Sequence, residues 1–321
     1  MTFVHTHLHT EYSVLDGAIV PCELAAYVKE LGQPAVAITD HGNLHGVIDF
    51  YKACKNSEIK PIIGSEIYCT NDEDNTEEKQ KDNYHLVVLA KNNEGYRELL
   101  YLVSNANLSN FYYKPRVSMS NLLRHGANGN LIVTSACLGG PLAKHLEEIT
   151  DENKGLTLRD TNQHAEKILN NLLASFKENL YLEIQHNDEL KQIPYNSWLV
   201  EMAHKYDIKT TIATDAHFLK REDHRLHALM MAMQLHRTID EYNSDNSMRY
   251  SEHNYVKSTE EMIALANLYG VPEAIDNTCL IAEQCNVEIE LGKSYPPVFD
   301  ITKADDYQDF LAYRSALRGK N

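Results

Sequence analysis

The sequence predicts an α/β fold whose strands close, or nearly close, into a barrel, followed by a small helical appendage. Three observations carry this expectation. Seven short apolar runs rich in β-branched residues recur through the first two thirds of the chain. Helical patterns separate most of them. His, Asp, Glu and Cys gather at the ends of the runs rather than in their middles. Short apolar runs between polar segments read as strands buried on both faces. Their alternation with helices favours parallel pairing through right-handed crossovers.

The first run, TFVHTHLH (2–9), places His5, His7 and His9 on one face if it is extended. A row of imidazoles is poor core material and good metal-ligand material. PAVAITD (34–40), KPIIGSEIYC (60–69), NYHLVVLAK (83–91), NLIVTSAC (130–137), NLYLEIQH (179–186) and IKTTIATDAH (208–217) complete the strand set. Helices are expected over 21–31, 43–56, 93–107, 160–176 and 189–206. The acidic stretch 70–82 and the polar stretch 150–160 read as exposed insertions. After residue 240 the pattern turns helical, and SYPPVFD (294–300) reads as an extended connector. The barrel is therefore assigned to 1–239 and the appendage to 240–299, with 300–321 as a linker or terminal helix.

Composition narrows the function classes. The 321 residues are 43% hydrophobic and 24% charged, which suits a soluble globular chain. No apolar run approaches the ~18 residues of a membrane span, and no signal peptide is apparent. The six cysteines lack paired spacing and read as reduced thiols, so a cytoplasmic location is expected. A formal net charge of −16 argues against a nucleic-acid coating protein but not against an enzyme that meets phosphate at a cationic metal site.

The polar residues at the strand ends carry the chemistry. His7 and His9 end the first run, Asp16 follows it, Asp40 and His41 end the second, and Glu66 lies late in the third. Cys137 ends the fifth, and Asp215 and His217 the last. In a parallel barrel the carboxyl ends of strands gather at one rim, so these residues should converge. His85 sits near a strand start and does not fit that rule. A set of this size exceeds one tetrahedral zinc and suits two or three divalent ions sharing a bridging carboxylate.

The motifs HTHLHTEYSVLDG, AITDHGNLHG, KPIIGSEIY, NYHLVVLAKN, FYYKPRV, TSACLGG and ATDAHFLKRED resemble the PHP (polymerase and histidinol phosphatase) domain. They are most similar to the N-terminal PHP domain of the bacterial DNA polymerase III alpha subunit. The resemblance runs from about residue 3 to about 299. It implies a distorted (β/α)7 TIM-like barrel and nine metal ligands: His7, His9, Asp16, His41, Glu66, His85, Cys137, Asp215 and His217. The implied grouping is His7, His9, Glu66 and Asp215 on one ion, Glu66, His85 and Cys137 on a second, and Asp16, His41 and His217 on a third. His5 falls outside this set and reads as a structural residue. The ions are expected to be Zn or Mn, with Fe as a further option.

The implied activity is a metal-dependent phosphoesterase, specifically a 3′–5′ exonuclease on DNA 3′ ends, in a proofreading role beside a DNA polymerase body. His7, His9, Glu66 and Asp215 would act through a metal-activated hydroxide. Lys114 and Arg116 are candidate phosphate contacts. Two other readings stand beside it: a small-molecule phosphomonoesterase of the histidinol-phosphatase type, and a structural polymerase module without turnover. No Asp-rich polymerase motif follows, so no polymerase activity is expected from this chain.

Overall fold

The computed structural model describes residues 2–70, 82–149, 158–189, 191–244, 250–294, 296 and 307–318. Most of the insertions expected at 70–82 and 150–160, and most of the connector at 294–300, lie outside the described residues. Residues 1–288 form one compact unit and 289–321 a second, in which Tyr307–Arg318 is a helix.

Eight strands make one curled sheet: β1 (Ala35–Ile38), β2 (Lys60–Thr70), β3 (Tyr84–Ala90), β4 (Phe111–Tyr112), β5 (Lys114–Ser118), β6 (Leu131–Thr134), β7 (Leu180–Gln185) and β8 (Lys209–Ala213). Their order is β4-β5-β2-β3-β6-β7-β8, with β1 on β2. The N-terminal run spans the remaining gap. His5 bridges Val36 of β1, and Leu8 bridges Ala216 just beyond β8. It forms isolated bridges rather than the continuous strand expected at 2–9. Even so, it brings the two ends of the sheet together as a distorted TIM-like barrel.

One expectation changes in a way that matters for the site. β3 runs antiparallel to both of its neighbours, β2 and β6, whereas β1–β2, β6–β7 and β7–β8 are parallel as expected. Reversing one strand exchanges its ends, so the start of β3 lies at the rim where the parallel strands finish. Tyr68 pairs with His85 in the β2–β3 register. His85, out of place in an all-parallel sheet, is thereby carried to the other polar residues.

Apart from β4 and β5, the strands are buried on both faces, as their unbroken apolar runs require. Val4, Ala37, Ile62, Val87, Leu89, Ile132 and Tyr181 share one cluster with Ile281 and Ala282 of a late helix, Glu273–Gln284. Ile67, Leu86, Val88, Val133, Leu182 and Ile212 face the other way, against Leu99, Leu169, Phe176 and Leu199 of the covering helices. Residues from the expected appendage, including Met262, Ala266 and Ile275, pack in that second cluster. Among the described residues, no helix is long and apolar enough to cross a membrane.

Candidate metal centre

Glu66 is the hub. Its side chain is 1% exposed, and it lies on β2 in phase with Tyr68, whose ring packs on His41 and His85. His41 Nδ1 lies 2.7 Å from Oε2 and His9 Nε2 3.3 Å from the same oxygen. His85 Nδ1 approaches Oε1 to 3.1 Å, His7 Nε2 to 3.4 Å and Cys137 Sγ to 3.7 Å. Asp215 Oδ1 lies 3.2 Å from both His7 Nε2 and His9 Nε2. His41 Nε2 is 3.0 Å from Asp16, and His217 Nε2 is 4.0 Å from it. All nine expected residues thus meet in one continuous cluster. Within it, three groups have ligand atoms close enough to share an ion: His7–His9–Glu66, His9–His41–His217 and His41–Glu66–His85.

Local structure explains each placement. Asp16 comes from a tight turn in which the Asp16 and Gly17 N–H groups both donate to the Ser13 carbonyl at 2.9 Å. A Cβ at Gly17 would lie 2.2 Å from the Thr10 carbonyl oxygen, so only glycine permits that fold-back. Asp40 is not in the cluster. It accepts from the Thr10 N–H at 2.7 Å, the Thr10 hydroxyl at 2.8 Å and Ser13 Oγ at 2.8 Å, and so holds the loop that presents Asp16. Cys137 and His85 are tied together by the Gly139 N–H, which donates to Sγ at 3.3 Å, and by the His85 N–H, which donates to the Gly139 carbonyl at 3.0 Å. Asp215 has φ of +49° and Ala136 has φ of +55°. Such left-handed geometry is costly for non-glycine residues and concentrates at functional sites. Asn254 holds the Asp215 turn by donating to the Thr214 and Asp215 carbonyls at 3.2 and 3.0 Å.

The imidazoles are oriented from behind. His7 Nδ1 donates to Glu183 Oε1 at 2.7 Å, His9 Nδ1 to Ser13 Oγ at 3.1 Å and His217 Nδ1 to the Asp215 carbonyl at 2.8 Å. A proton fixed on Nδ1 leaves the Nε2 lone pair aimed into the cluster, the arrangement that metal-ligating histidines adopt. Four buried polar atoms there, His41 Nδ1, Glu66 Oε2, Asp215 Oδ1 and His217 Nε2, make no well-directed hydrogen bond, although the first two lie 2.7 Å apart and Asp215 Oδ1 lies 3.2 Å from two imidazole nitrogens. Two ring nitrogens, His7 Nε2 and His9 Nε2, also face one another at 3.2 Å. Buried polar atoms left in this state are costly in a protein interior, and divalent cations would satisfy them. The donor set therefore fits metal ions.

Charges compensate one another within the cluster. Burial opposes charge on His41, but Glu66 and Asp16 outweigh it and push His41 up to about 10. His7 is likewise raised, against burial, by Asp215, Glu183 and Glu66. Burial and then His9 lower His217 to about 3. Burial raises a carboxyl, yet the surrounding histidines hold Glu66 and Asp215 below the ordinary carboxylate range. The Cys137 thiol is pushed up by burial and by Glu66.

Several residues at the site were not anticipated. Glu183 is fully buried. Besides His7 it accepts from Thr134 Oγ1 and from Gln185 Nε2, the latter at 2.7 Å. In the sequence it is a lone carboxylate inside YLEIQ, and only its phase with Tyr181 and Gln185 hints at an inward direction. Tyr250 donates to Asp16 Oδ1 at 2.8 Å, with its ring 4.3 Å from that of His217. His5 stays outside the cluster, its Nε2 donating to the Lys257 carbonyl at 3.0 Å. Arg116 is not among the cluster residues. Its guanidinium lies 5.3 Å from the centre of the Tyr112 ring, and its β5 position pairs with Tyr68. A cavity of about 1170 Å³ is lined by Asp16, Cys137 and Asp215 together with Asp188, Glu189 and Glu252 and the basic Lys191 and His224.

Barrel and cluster together define a class: an α/β barrel with a cluster of metal-ligand-type side chains at one rim. The PHP domain model matches residues 5–187, and the chain belongs to that family. It is 36% identical over 328 residues to the DNA polymerase III subunit alpha of Helicobacter pylori, covering 98% of this chain and 26% of that protein. It is 35% identical to the subunit from Aquifex aeolicus, over 96% of this chain and 27% of the relative. The chain thus spans about a quarter of the length of these curated relatives. A two-domain protein from Bacteroides vulgatus, containing a predicted PHP-like metal-dependent phosphoesterase, aligns with a TM-score of 0.38 at 12% identity. That alignment covers 92% of this chain and 72% of the other.

Proposed function

We propose that this chain is a metal-dependent phosphoesterase and, within that class, a 3′–5′ exonuclease that trims DNA ends beside a replicative polymerase. The observation that carries the reading is the convergence of nine ligand-type side chains around Glu66, three of which, Asp16, Cys137 and Asp215, line an open cleft. His7, His9, Glu66 and Asp215 would hold one ion, His85 and Cys137 with Glu66 a second, and Asp16, His41 and His217 a third. Such ions supply an activated water and withdraw charge from phosphoryl oxygens. The chain's own residues fix the ligand geometry. Glu183, Ser13 and the Asp215 carbonyl orient imidazoles, Asn254 holds the Asp215 turn, and Tyr250 holds Asp16. Zn or Mn suits the His and Cys donors. The polymerase setting, and with it a cytoplasmic location, is supported by relatives that are DNA polymerase III alpha subunits and of which this chain spans about a quarter.

A small-molecule phosphomonoesterase is the second reading. The observation favouring it is the cleft lining, in which the carboxylates Asp188 and Glu189 outnumber the one lysine, Lys191, and so disfavour a long polyanion. Parallel assays of the Zn- or Mn-loaded chain separate the readings, using a 3′-labelled oligonucleotide, a phosphomonoester and an EDTA control. Release of mononucleotides in the first arm supports the exonuclease. Turnover of the monoester alone selects the second reading. No turnover in either arm leaves a structural module.

A further inference from the structure

Before the helix Thr259–Leu268 the chain passes through an irregular segment, 250–257, that bonds to the ligand-bearing loops rather than to a sheet or helix of its own. Tyr250 donates to Asp16. The Asn254 side chain donates to the Thr214 and Asp215 carbonyls, and the Asn254 carbonyl accepts the His217 N–H at 2.9 Å. Tyr255 bridges Phe218, and the Val256 N–H donates to the Leu219 carbonyl at 3.3 Å, so the segment runs alongside the chain that leaves β8. At its end the Lys257 carbonyl accepts from His5 Nε2 at 3.0 Å and from Gln33 Nε2 at 2.9 Å. His5 belongs to the run that carries His7 and His9. One short segment is therefore bonded both to the ligand-bearing chain before β1 and to that after β8.

Its last side chain is out of keeping with its surroundings. Lys257 is 3% exposed, and it is the only Lys or Arg that is buried among the described residues. Lysines are almost never fully buried unless paired. Glu261, whose charge acts on Lys257, commits its oxygens to the Tyr255 hydroxyl and the Ser258 N–H. The Lys257 ammonium instead donates to the His253 carbonyl and lies 3.9 Å from the centre of the Tyr255 ring. A cation on an aromatic face is held most firmly where water is excluded. Its bond to His253 closes 253–257 into a turn, and Asn254 lies inside that turn. The positive φ at Asp215 persists only where the surroundings over-determine it. Asn254 supplies three of the bonds that do so, but an asparagine in an irregular segment is only as fixed as its own backbone. We propose that Lys257 is a positioning residue for the metal centre: its ammonium clasps the 253–257 turn and so fixes Asn254, which sets Asp215 and His217 against His7 and His9. The inference rests on the metal-centre reading and adds to it a residue that touches none of the nine ligands.

Two measurements on the full chain test this, one of them without metal. In EDTA, amide exchange at His217 should quicken about tenfold in Lys257→Met, as expected for the loss of one charged hydrogen bond that holds the turn, while the amides of β7 exchange as in wild type. Zn affinity, measured against a competing chelator, should fall about 10–100-fold in the same variant, the usual effect of removing a group that orients ligands. Lys257→Arg keeps a cation and a donor and should restore both values. Asn254→Ala should weaken Zn binding as much as Lys257→Met, and the double variant no more than either, because the lysine acts through Asn254. Tyr255→Leu is a milder variant that removes the ring beneath the ammonium, and it decides the matter if Lys257→Met does not fold. It should move both values in the same direction by a smaller factor, and Tyr255→Phe should move neither. Unchanged His217 exchange in the folded variants overturns the proposal. So does a loss of urea stability with Zn affinity unchanged, which would make the clasp structural only. A failed metal-centre reading looks different: the wild-type chain itself then binds less than one equivalent of Zn, and the proposal falls with it.

Discussion

At Glu66, four imidazoles and a thiol meet one carboxylate inside 4 Å. Its other contacts were legible because strand ends concentrate functional groups and because few other arrangements use His, Asp, Glu and Cys together, but His85, near a strand start, came only from the family resemblance. Glu183 was not legible, since one carboxylate in an apolar strand gives no sign of its partner 176 positions away. Removing its charge tests its role. Glu183→Gln should weaken metal affinity about 10–100-fold, as loss of such a backing carboxylate does, while circular dichroism stays unchanged. His5 makes a separate prediction. Burial lowers it from 6.5 to about 4, with the Lys257 carbonyl only partly opposing. The unfolded chain takes up a proton below pH 6.5 that the folded chain refuses. Stability should therefore fall by about 3 kcal/mol as pH drops from about 6.5 to about 4, with no such loss above neutrality. In His5→Asn that component of acid unfolding should disappear from urea titrations across the same pH range.

Among the elements, apolar periodicity located β2, β3, β6, β7 and β8 to within a few residues, because each is buried on both faces and bounded by polar turns. Direction was not encoded. An apolar run reads the same either way, so the sequence alone implies a parallel β3 and leaves His85 out of place. The β4–β5 hairpin escaped notice because its strands are short and carry Pro115 and two cations, with only Val117 and Ser118 buried. The N-terminal run was expected to pair as a strand but only bridges its neighbours, since its side chains serve the centre. The contact of the helix Asn93–Leu108 with the loop before β6 supplies a prediction at this scale. Gly95 lies against the Asn130 backbone, where a Cβ would come within 2.1 Å of the carbonyl oxygen. Gly95→Ala must displace backbone and should cost about 1–3 kcal/mol, read from chemical denaturation. A value near zero would mean that the helix is free to shift.

For the molecule as a whole, the centre ties the N-terminal run to β1, β2, β3, β7 and the segment after β8, so metal occupancy and global stability should be linked. Ions that bind only the folded chain raise its stability by mass action, and EDTA should lower the melting temperature. Uptake should also depend on pH. His41, pushed up to about 10 by Glu66 and Asp16 against burial, holds a proton at neutrality that an ion must displace. Apparent affinity should therefore rise between pH 6 and 8, with proton release visible by calorimetry in buffers of different ionisation enthalpy. The central claim is that the nine rim residues form one polynuclear metal centre. Its most direct test is elemental analysis of the full chain after reconstitution with Zn or Mn and removal of free metal. Two to three equivalents per chain, lost in Glu66→Gln, is the result expected from a carboxylate shared among the sites; less than one equivalent bound by the wild-type chain would contradict it.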